Sequence, residues 1–265
     1  MWRAAYTIAV WAAATMAPGA AGAEWQVWTT TETRHVLRED MPAGSLPVKL
    51  AAARNEWRGF QILLRSAAPV TGIDVRAGDL TGPDGAVLAA REARLYRQHQ
   101  LEVTTATYRN DQFRPGWYPD PLIPFVHPLT GKPLAGARLR AVPFDLPAGQ
   151  THGFWVDVHV PAAATAGRYT GVYRVTAADR AAVEIPVELT VWGFALPATP
   201  TFQTALGSPA QRMRGSYRKR AADGKEPEPA DWDAVETQCA ALLAEHGVNA
   251  TPPTEIGRAS CRERV

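Results

Sequence analysis

Residues 183–194 read VEIPVELTVWGF, and in this stretch apolar and polar side chains alternate with a period of two. Residues 153–161, GFWVDVHVP, alternate in the same way. Such alternation is typical of β-strands that bury one face. The residues expected to face inward are Phe154, Val156, Val158, Val160, Val183, Ile185, Val187, Leu189 and Val191. Pro186 falls on the outward face, which predicts that its strand lies at the edge of a sheet.

The alternation extends upstream, where short candidate strands are separated by Gly, Pro and Asp. They occupy 46–52, 57–66, 72–77, 92–97 and 101–107. Arg54 and Glu56 are expected to close the turn between the first two and to bond neighbouring backbone, while Phe60, Ile62 and Leu64 fill the core. Many short strands with this punctuation predict a mainly β fold, an antiparallel β-sandwich over residues 24–198.

Residues 108–137 lack periodicity and are rich in proline and aromatic residues, so we predict a long loop. Within it, Trp117, Tyr118 and Asp120 are candidates for substrate or interdomain contacts. Two interpretations stand side by side. The aromatic rings could stack on a sugar, or the segment could be a rigid buttress between two domains, with its path fixed by prolines.

A second change of pattern covers residues 202–254. Residues 202–206 are a candidate strand, 208–230 a polar loop, and 248–251 another strand. Between them Asp231 is a suitable N-cap for a helix that places Trp232 and His246 on one side and ends at Gly247. Strand, loop, helix and strand predict the first βαβ unit of a truncated (β/α)8 barrel, which needs about 250 residues in full. Arg214, in the predicted loop, would then lie at the catalytic face of the barrel.

The two ends of the chain have separate explanations. Residues 1–23 combine Arg3, an apolar run and a small-residue cleavage pattern, which predicts a signal peptide and a secreted or periplasmic protein without a membrane span. Residues 255–265, EIGRASCRERV, match the translation of a common short-read sequencing adapter. We therefore expect adapter read-through at this end and a gene that continues.

Composition excludes several classes of function. The chain has 28 Lys+Arg and 26 Asp+Glu, and the two end segments carry four arginines and two glutamates, so the remainder is neutral. A neutral chain gives no electrostatic basis for a nucleic-acid partner.

Without Cys261, Cys239 is the one cysteine, and the six histidines show no ligand spacing. We therefore expect no disulfide, no metal and no cofactor, and we interpret the outward pair Asp157 and His159 as an ordinary solvated face.

Four segments in this order resemble the N-terminal region of glycoside hydrolase family 123-like proteins. They are AARNEWRGFQILLR (52–65), GWYPDPLIPF (116–125), GFWVDVHVPAAATAGRYTGVYRV (153–175) and VELTVWGFALPATPTFQTALG (187–207). The resemblance implies an exported protein with an N-terminal β-sandwich followed by a catalytic (β/α)8 barrel. It also implies release of terminal N-acetylgalactosamine by the complete protein, through a substrate-assisted mechanism that uses an adjacent Asp-Glu pair on the barrel.

No residue of this chain matches that pair, so the resemblance assigns no catalytic residue here. We expect the fragment itself to be inactive and the glycan substrate to bind the missing barrel. The alternative is a non-catalytic sandwich, a carbohydrate-binding or cell-surface module.

Overall fold

The computed structural model describes residues 25–106, 110, 113–199, 201–202, 204, 209–222, 229 and 231–248. The predicted signal peptide and the segment 255–265 lie outside these residues, as do most of the strands predicted at 202–206 and 248–251.

Twelve strands and two helices make up the described chain. In order the strands are β1 (Gln26–Thr31), β2 (Val48–Arg54), β3 (Glu56–Arg65), β4 (Val70–Arg76), β5 (Leu80–Thr81), β6 (Val87–Leu88), β7 (Ala93–Val103), β8 (Gly116–Pro124), β9 (Phe144–Leu146), β10 (Thr151–Val160), β11 (Gly167–Ala177) and β12 (Arg180–Ala195). Short 3₁₀ turns lie at Pro83–Gly85 and Ala90–Glu92. The candidate strands 92–97 and 101–107 were predicted separately, whereas residues from both form the single strand β7.

The strands form two sheets. The first has the order β1-β3-β10-β7-β8 and is antiparallel throughout; the second has the order β2-β12-β11-β4-β9, with β5 and β6 attached beside β11. Inward side chains of both sheets meet in one hydrophobic cluster. Phe60 of β3 meets Tyr173 of β11 with ring centroids 5.8 Å apart, and Phe154 of β10 meets Phe144 of β9 at 6.3 Å. Two sheets around one shared core confirm the mainly β fold.

The inward positions expected from the alternation are confirmed. Phe154, Val156, Val158 and Val160 are all buried, as are Ile185, Val187, Leu189 and Val191, while Val183 packs against the same cluster. The turn between β2 and β3 is also as expected. The Ala53 amide donates to Glu56 Oε2 at 2.7 Å, and Asn55 occupies the left-handed region that Asn tolerates, with φ at 61°.

The prediction of an edge strand at Pro186 is wrong for β12 as a whole, because β2 pairs with it in parallel. This pair also corrects the prediction of a wholly antiparallel sandwich. The pairing with β2 begins at Val187, one residue after the proline, so at Pro186 the strand has only β11 beside it. A residue without an N–H therefore costs no hydrogen bond to β2 there.

The predicted loop 108–137 is wrong in its middle, where β8 pairs with β7 from Gly116 to Pro124. Three prolines hid this strand from periodicity. They are compatible with it because β8 lies at the edge of its sheet, where one side of the backbone needs no partner.

Two helices follow the sandwich. Residues 209–222 form the helix α1 (Pro209–Ala222), where a polar loop was predicted. The helix α2 (Trp232–Glu245) begins as predicted, because Asp231 accepts hydrogen bonds from the Asp233 and Ala234 amides. It ends at Glu245 with His246 as its C-cap, and Gly247 follows with φ at 70°, a conformation that favours glycine.

Candidate functional site

A cluster of polar and aromatic side chains lies on the outer face of the first sheet. Trp57 on β3 is directly opposite His159 on β10, and Asp157 on β10 is directly opposite Arg94 on β7. Because side chains alternate along a strand, these four share the face opposite the hydrophobic core. We call Trp57, Arg94, Asp157 and His159 the Trp57 cluster.

The C-terminal end of α2 lies directly on the Trp57 cluster. The imidazole of His246 stacks on the indole of Trp57 with centroids 4.6 Å apart and planes 20° apart. The Trp57 Nε1–H donates to the Glu245 carbonyl at 2.9 Å, which satisfies a carbonyl that the helix end leaves open. Arg94 pairs with the Glu245 carboxylate at 2.8 Å. The sheet therefore binds the last turn of α2 through stacking, a hydrogen bond and an ion pair.

Further contacts surround the indole of Trp57. The ring of His159 lies 4.8 Å from it, tilted by 31°, and the Arg94 guanidinium is 4.5 Å from its centroid. Such cation–π geometry contributes about 0.5–1 kcal/mol at exposed sites. Since His246 and His159 both lie against the indole, Trp57 is occupied by protein groups and does not offer a free platform for a sugar ring.

The carboxylate of Asp157 is the most constrained charged group in the cluster. Its Oδ1 accepts from Trp155 Nε1 at 2.6 Å, and its Oδ2 lies 4.0 Å from His246 Nε2. Burial raises the pKa of Asp157, against the opposing influence of the Trp155 hydrogen bond and the His246 charge. The charge of Glu32 raises this pKa further, and that of Arg94 lowers it. Asp157 therefore keeps a proton to higher pH than an ordinary aspartate.

Glu32 reaches the cluster from the end of β1. Its Oε2 accepts from the Gly59 amide at 2.6 Å, and its Oε1 pairs with Arg58 at 3.2 Å. A Cβ at Gly59 would lie 2.8 Å from that Glu32 oxygen and 3.2 Å from Asp157 Oδ1. Glycine at position 59 therefore allows both carboxylates to approach the sheet backbone.

A cavity of about 840 Å³ remains between the cluster, residues 196–198, 201 and 202, and the end of α2. Its acidic side chains have partners: Glu56 accepts from a backbone amide, Glu92 lies 3.2 Å from His159 Nδ1, and Glu245 pairs with Arg94. Over the described ranges, no group of three or more His, Cys, Asp or Glu is arranged to hold a metal ion. The cavity thus carries titratable, hydrogen-bonded groups that can exchange protons and bind a helix end.

The interpretation of Asp157 and His159 as a solvated face is wrong. Both are partly buried, Asp157 beneath the helix end and His159 against Trp57. Periodicity identified the outward direction of these side chains. It could not show that α2, which begins 75 residues after Asp157, covers them. The roles of Trp57 and Arg94 were likewise missed. The one signal that could have identified this face was the density of aromatic and charged residues at outward positions.

The predicted contact residues Trp117, Tyr118 and Asp120 lie on β8, which is the edge strand opposite β1 in the first sheet. They are separate from the Trp57 cluster. The Arg38 guanidinium lies 3.6 Å over the Trp117 ring, and the Arg38 amide donates to the Trp117 carbonyl at 3.4 Å. The Tyr118 hydroxyl donates to the Arg114 carbonyl at 2.6 Å. These contacts hold Trp117 and Tyr118 against the neighbouring segments. The third predicted residue, Asp120, is exposed.

Arg214 lies on α1 instead of in a loop. Its guanidinium is 5.9 Å from the ring of Trp232 on α2, so it contributes to the contact between the two helices. The structure therefore places Trp117, Tyr118 and Asp120 together on one strand and Arg214 on a separate helix.

No helix among the described residues is both long and apolar enough to cross a bilayer.

No curated protein sequence matches the chain. Among solved structures, the family 123 glycoside hydrolase from Clostridium perfringens, studied for glycolipid glycan hydrolysis, is similar with a TM-score of 0.54 and 13% identity. The match covers 66% of this chain but only 28% of that enzyme, and it supports the fold alone.

Two other similar structures have TM-scores from which nothing is inferred. The N-terminal domain of PorA gives 0.27 at 9% identity over 64% of this chain and 100% of that one. A β-glucosidase from Listeria innocua in complex with isofagomine gives 0.26 at 11% identity over 66% and 17%. The comparison with family models is decisive, because the model described as the glycoside hydrolase 123 N-terminal domain matches residues 28–177. This chain therefore belongs to the glycoside hydrolase 123 N-terminal domain family.

Proposed function

We propose that this chain is the N-terminal portion of an exported glycoside hydrolase that releases terminal N-acetylgalactosamine from glycans. The observation that carries the proposal is the family match over residues 28–177. In this proposal residues 1–23 direct export, residues 24–198 form the sandwich, and residues 202–254 begin a (β/α)8 catalytic domain. The sandwich supports the catalytic domain, and hydrolysis takes place on the part that follows.

The contacts of the described residues support this division of labour. The carboxylates Glu32, Glu92 and Glu245 of the cavity are each engaged by a cation, a histidine or a backbone amide. A glycosidase acid must instead approach the glycosidic oxygen of its substrate. All three are bound by other protein groups, and the pair of Glu245 with Arg94 holds α2 on the sheet, which is the task expected of a supporting domain.

The proposal is tested by hydrolysis of a chromogenic N-acetyl-β-galactosaminide. The present chain is expected to show no turnover, whereas the protein encoded by the gene read beyond codon 254 is expected to release the sugar. Replacing either residue of an adjacent Asp-Glu pair in that longer protein should abolish release. A longer protein that contains such a pair, folds and still leaves every terminal N-acetylgalactosaminide intact would contradict the proposal.

A second candidate function rests on a different surface. Trp192 and Phe194 stack on each other at the outer side of β12, with centroids 5.6 Å apart and exposed fractions of 44% and 53%. An exposed aromatic pair is consistent with a carbohydrate-binding module. Glycan binding by residues 24–200 alone, lost in Trp192→Ala, would favour this function over the support role.

A further inference from the structure

An exposed apolar strip lies where the chain leaves the sandwich at the end of β12. Its members Trp192, Phe194, Leu196 and Phe202 are 44%, 53%, 41% and 78% exposed. Eleven large hydrophobic side chains are exposed among the described residues, and these four fall within the single stretch WGFALPATPTF (192–202). Such a concentration indicates an interaction site, whereas single exposed hydrophobic residues do not. We call these four residues the exit strip.

The backbone of the exit strip is fixed on the sandwich as far as Leu196. Ala195 pairs with Arg54 of β2, and the Leu196 amide donates to the Arg54 carbonyl at 2.8 Å. Asn55 Nδ2 donates to the Leu196 carbonyl at 3.2 Å. The two aromatic rings of the strip also stack on each other. This surface is therefore preorganised, which reduces the conformational entropy that is lost when a partner binds it.

The position of the exit strip indicates which part of the protein can reach it. Leu196 and Phe202 line the cavity of about 840 Å³, and so does Gly247. The chain thus leaves the sandwich and emerges from α2 at the same place, and the described residues end one position later, at Val248. The match with the Clostridium perfringens enzyme covers 28% of that chain, so most of that enzyme lies outside the match. In a complete protein of this kind, the chain that follows α2 starts beside the exit strip.

We propose that the exit strip is the interface on which the remainder of the catalytic domain, beyond residue 254, packs in the complete protein. This inference rests on the proposed function, which places that domain after the sandwich. Residues 192–202 contain no charged side chain, and depletion of charge is typical of the buried centre of an interface. A domain tethered to α2 has an effective concentration on the order of millimolar, so it reaches the strip ahead of a second copy of the chain.

The chemistry of the exit strip fits a protein surface better than a sugar. The rings of Trp192 and Phe194 are 5.6 Å apart with planes 19° apart, so each covers one face of the other. A sugar needs an open aromatic face for its C–H groups and polar side chains for its hydroxyls. Thr199 and Thr201 are the only polar side chains in residues 192–202. Apolar side chains with so few polar neighbours in the sequence suit contact with another domain.

The test is hydroxyl-radical footprinting of the present chain and of the protein encoded by the gene read beyond codon 254. Burial should make oxidation of Trp192 and Phe194 roughly fivefold slower in the longer protein, while Met41, 67% exposed and outside the strip, keeps its rate. Unchanged oxidation of Trp192 in the longer protein would overturn the proposal. So would protection in the present chain that grows with protein concentration, which would identify a second copy, or that follows addition of N-acetylgalactosamine, which would identify a sugar.

Variants of the longer protein provide a second measurement. Trp192→Ser combined with Phe194→Ser should make limited proteolysis separate the two domains roughly fivefold faster, because the interface opens more often. Val172→Ser is the matched control, since Val172 is 42% exposed on β11 outside the strip. None of these side chains belongs to the hydrophobic core cluster, so the variants should fold. Equal rates of separation in the double variant and the control would contradict the proposal.

Hydrolysis of the chromogenic substrate is measured on the same longer protein and separates the two proposals. A longer protein that protects Trp192 but releases no sugar would contradict the proposed function and leave this interface in place. One that releases the sugar while Trp192 stays fully reactive would contradict the interface alone.

Discussion

His152 is a single buried side chain that makes the stability of this fold depend on pH. It is 8% exposed at the start of β10, and its ring lies 5.1 Å from that of Phe144. Burial, followed by the charges of Arg38, Arg97 and His99, lowers the pKa of His152 to about 4. The folded protein thus resists a proton that the unfolded chain accepts at about pH 6.5.

We predict that acid destabilises the sandwich through His152. Because the pKa of this group is lowered by folding, its contribution to stability is complete above pH 6.5 and is lost as the pH falls through about 4. The loss amounts to about 3 kcal/mol of unfolding free energy. Urea denaturation at pH 7 and pH 4 measures it in the unmodified chain and in His152→Gln. His35→Gln is the control, and an equal acid loss in His152→Gln would contradict the assignment.

At the scale of elements, the strength of the alternation decided which strands could be predicted. In β10 and β12 every second residue is apolar, and both strands were predicted with their buried faces. In β8, prolines stand where an alternating strand would carry apolar residues, so the sequence shows no period of two. The segment is a strand because it pairs with β7. No local sequence pattern predicts the parallel pairing of β2 with β12, because these strands are far apart in the chain and pair only when the sandwich forms.

The candidate site was harder to predict than the fold because its parts come from distant elements. His246 and Asp157 were both noticed, one as the last residue on a helix face and the other on an outward strand face. Their contact depends on where α2 lies, which no local pattern specifies. The helix α1 was missed because PAQRMRGSYRKRAA, residues 209–222, has no apolar stripe.

We predict that the first turn of α2 depends on Asp231. Its carboxylate accepts from two amides, at 3.0 Å from Asp233 and 2.9 Å from Ala234. Asp231→Ala should lower the stability of the helix by about 1 kcal/mol, which corresponds to roughly fivefold faster exchange of the first-turn amides. Asp231→Asn keeps a side-chain acceptor and should exchange at the original rate. Equal exchange in all three proteins would show that the cap contributes nothing.

At the scale of the whole molecule, the hydrophobic core is contained within the sandwich. The cluster that joins the two sheets runs from Trp25 to Val191, and none of the helix side chains that the structure describes belongs to it. The helix α2 instead contacts the outer face of the first sheet through Trp57 and Arg94, and α1 packs against α2. A compact core of this kind does not need α1 or α2 in order to form.

We therefore predict that residues 24–198 fold without the rest of the chain. Unfolding in urea, followed by far-ultraviolet circular dichroism and by tryptophan fluorescence, should give one transition with coincident midpoints. The full chain is the matched control and should differ only by the contacts of α2 with Trp57 and Arg94. Two separated transitions, or no cooperative unfolding in the shorter chain, would show that the helices belong to the folding unit.

The free edge at β8 has a consequence for how this protein behaves at high concentration. Pro119, Pro121 and Pro124 carry no N–H, so this border of the sheet lacks several of the donors that an incoming strand needs. A second molecule that approached along β8 could not complete a regular ladder, and such ladders are how exposed edges begin intermolecular aggregation. The prolines that concealed β8 in the sequence therefore also keep neighbouring copies apart.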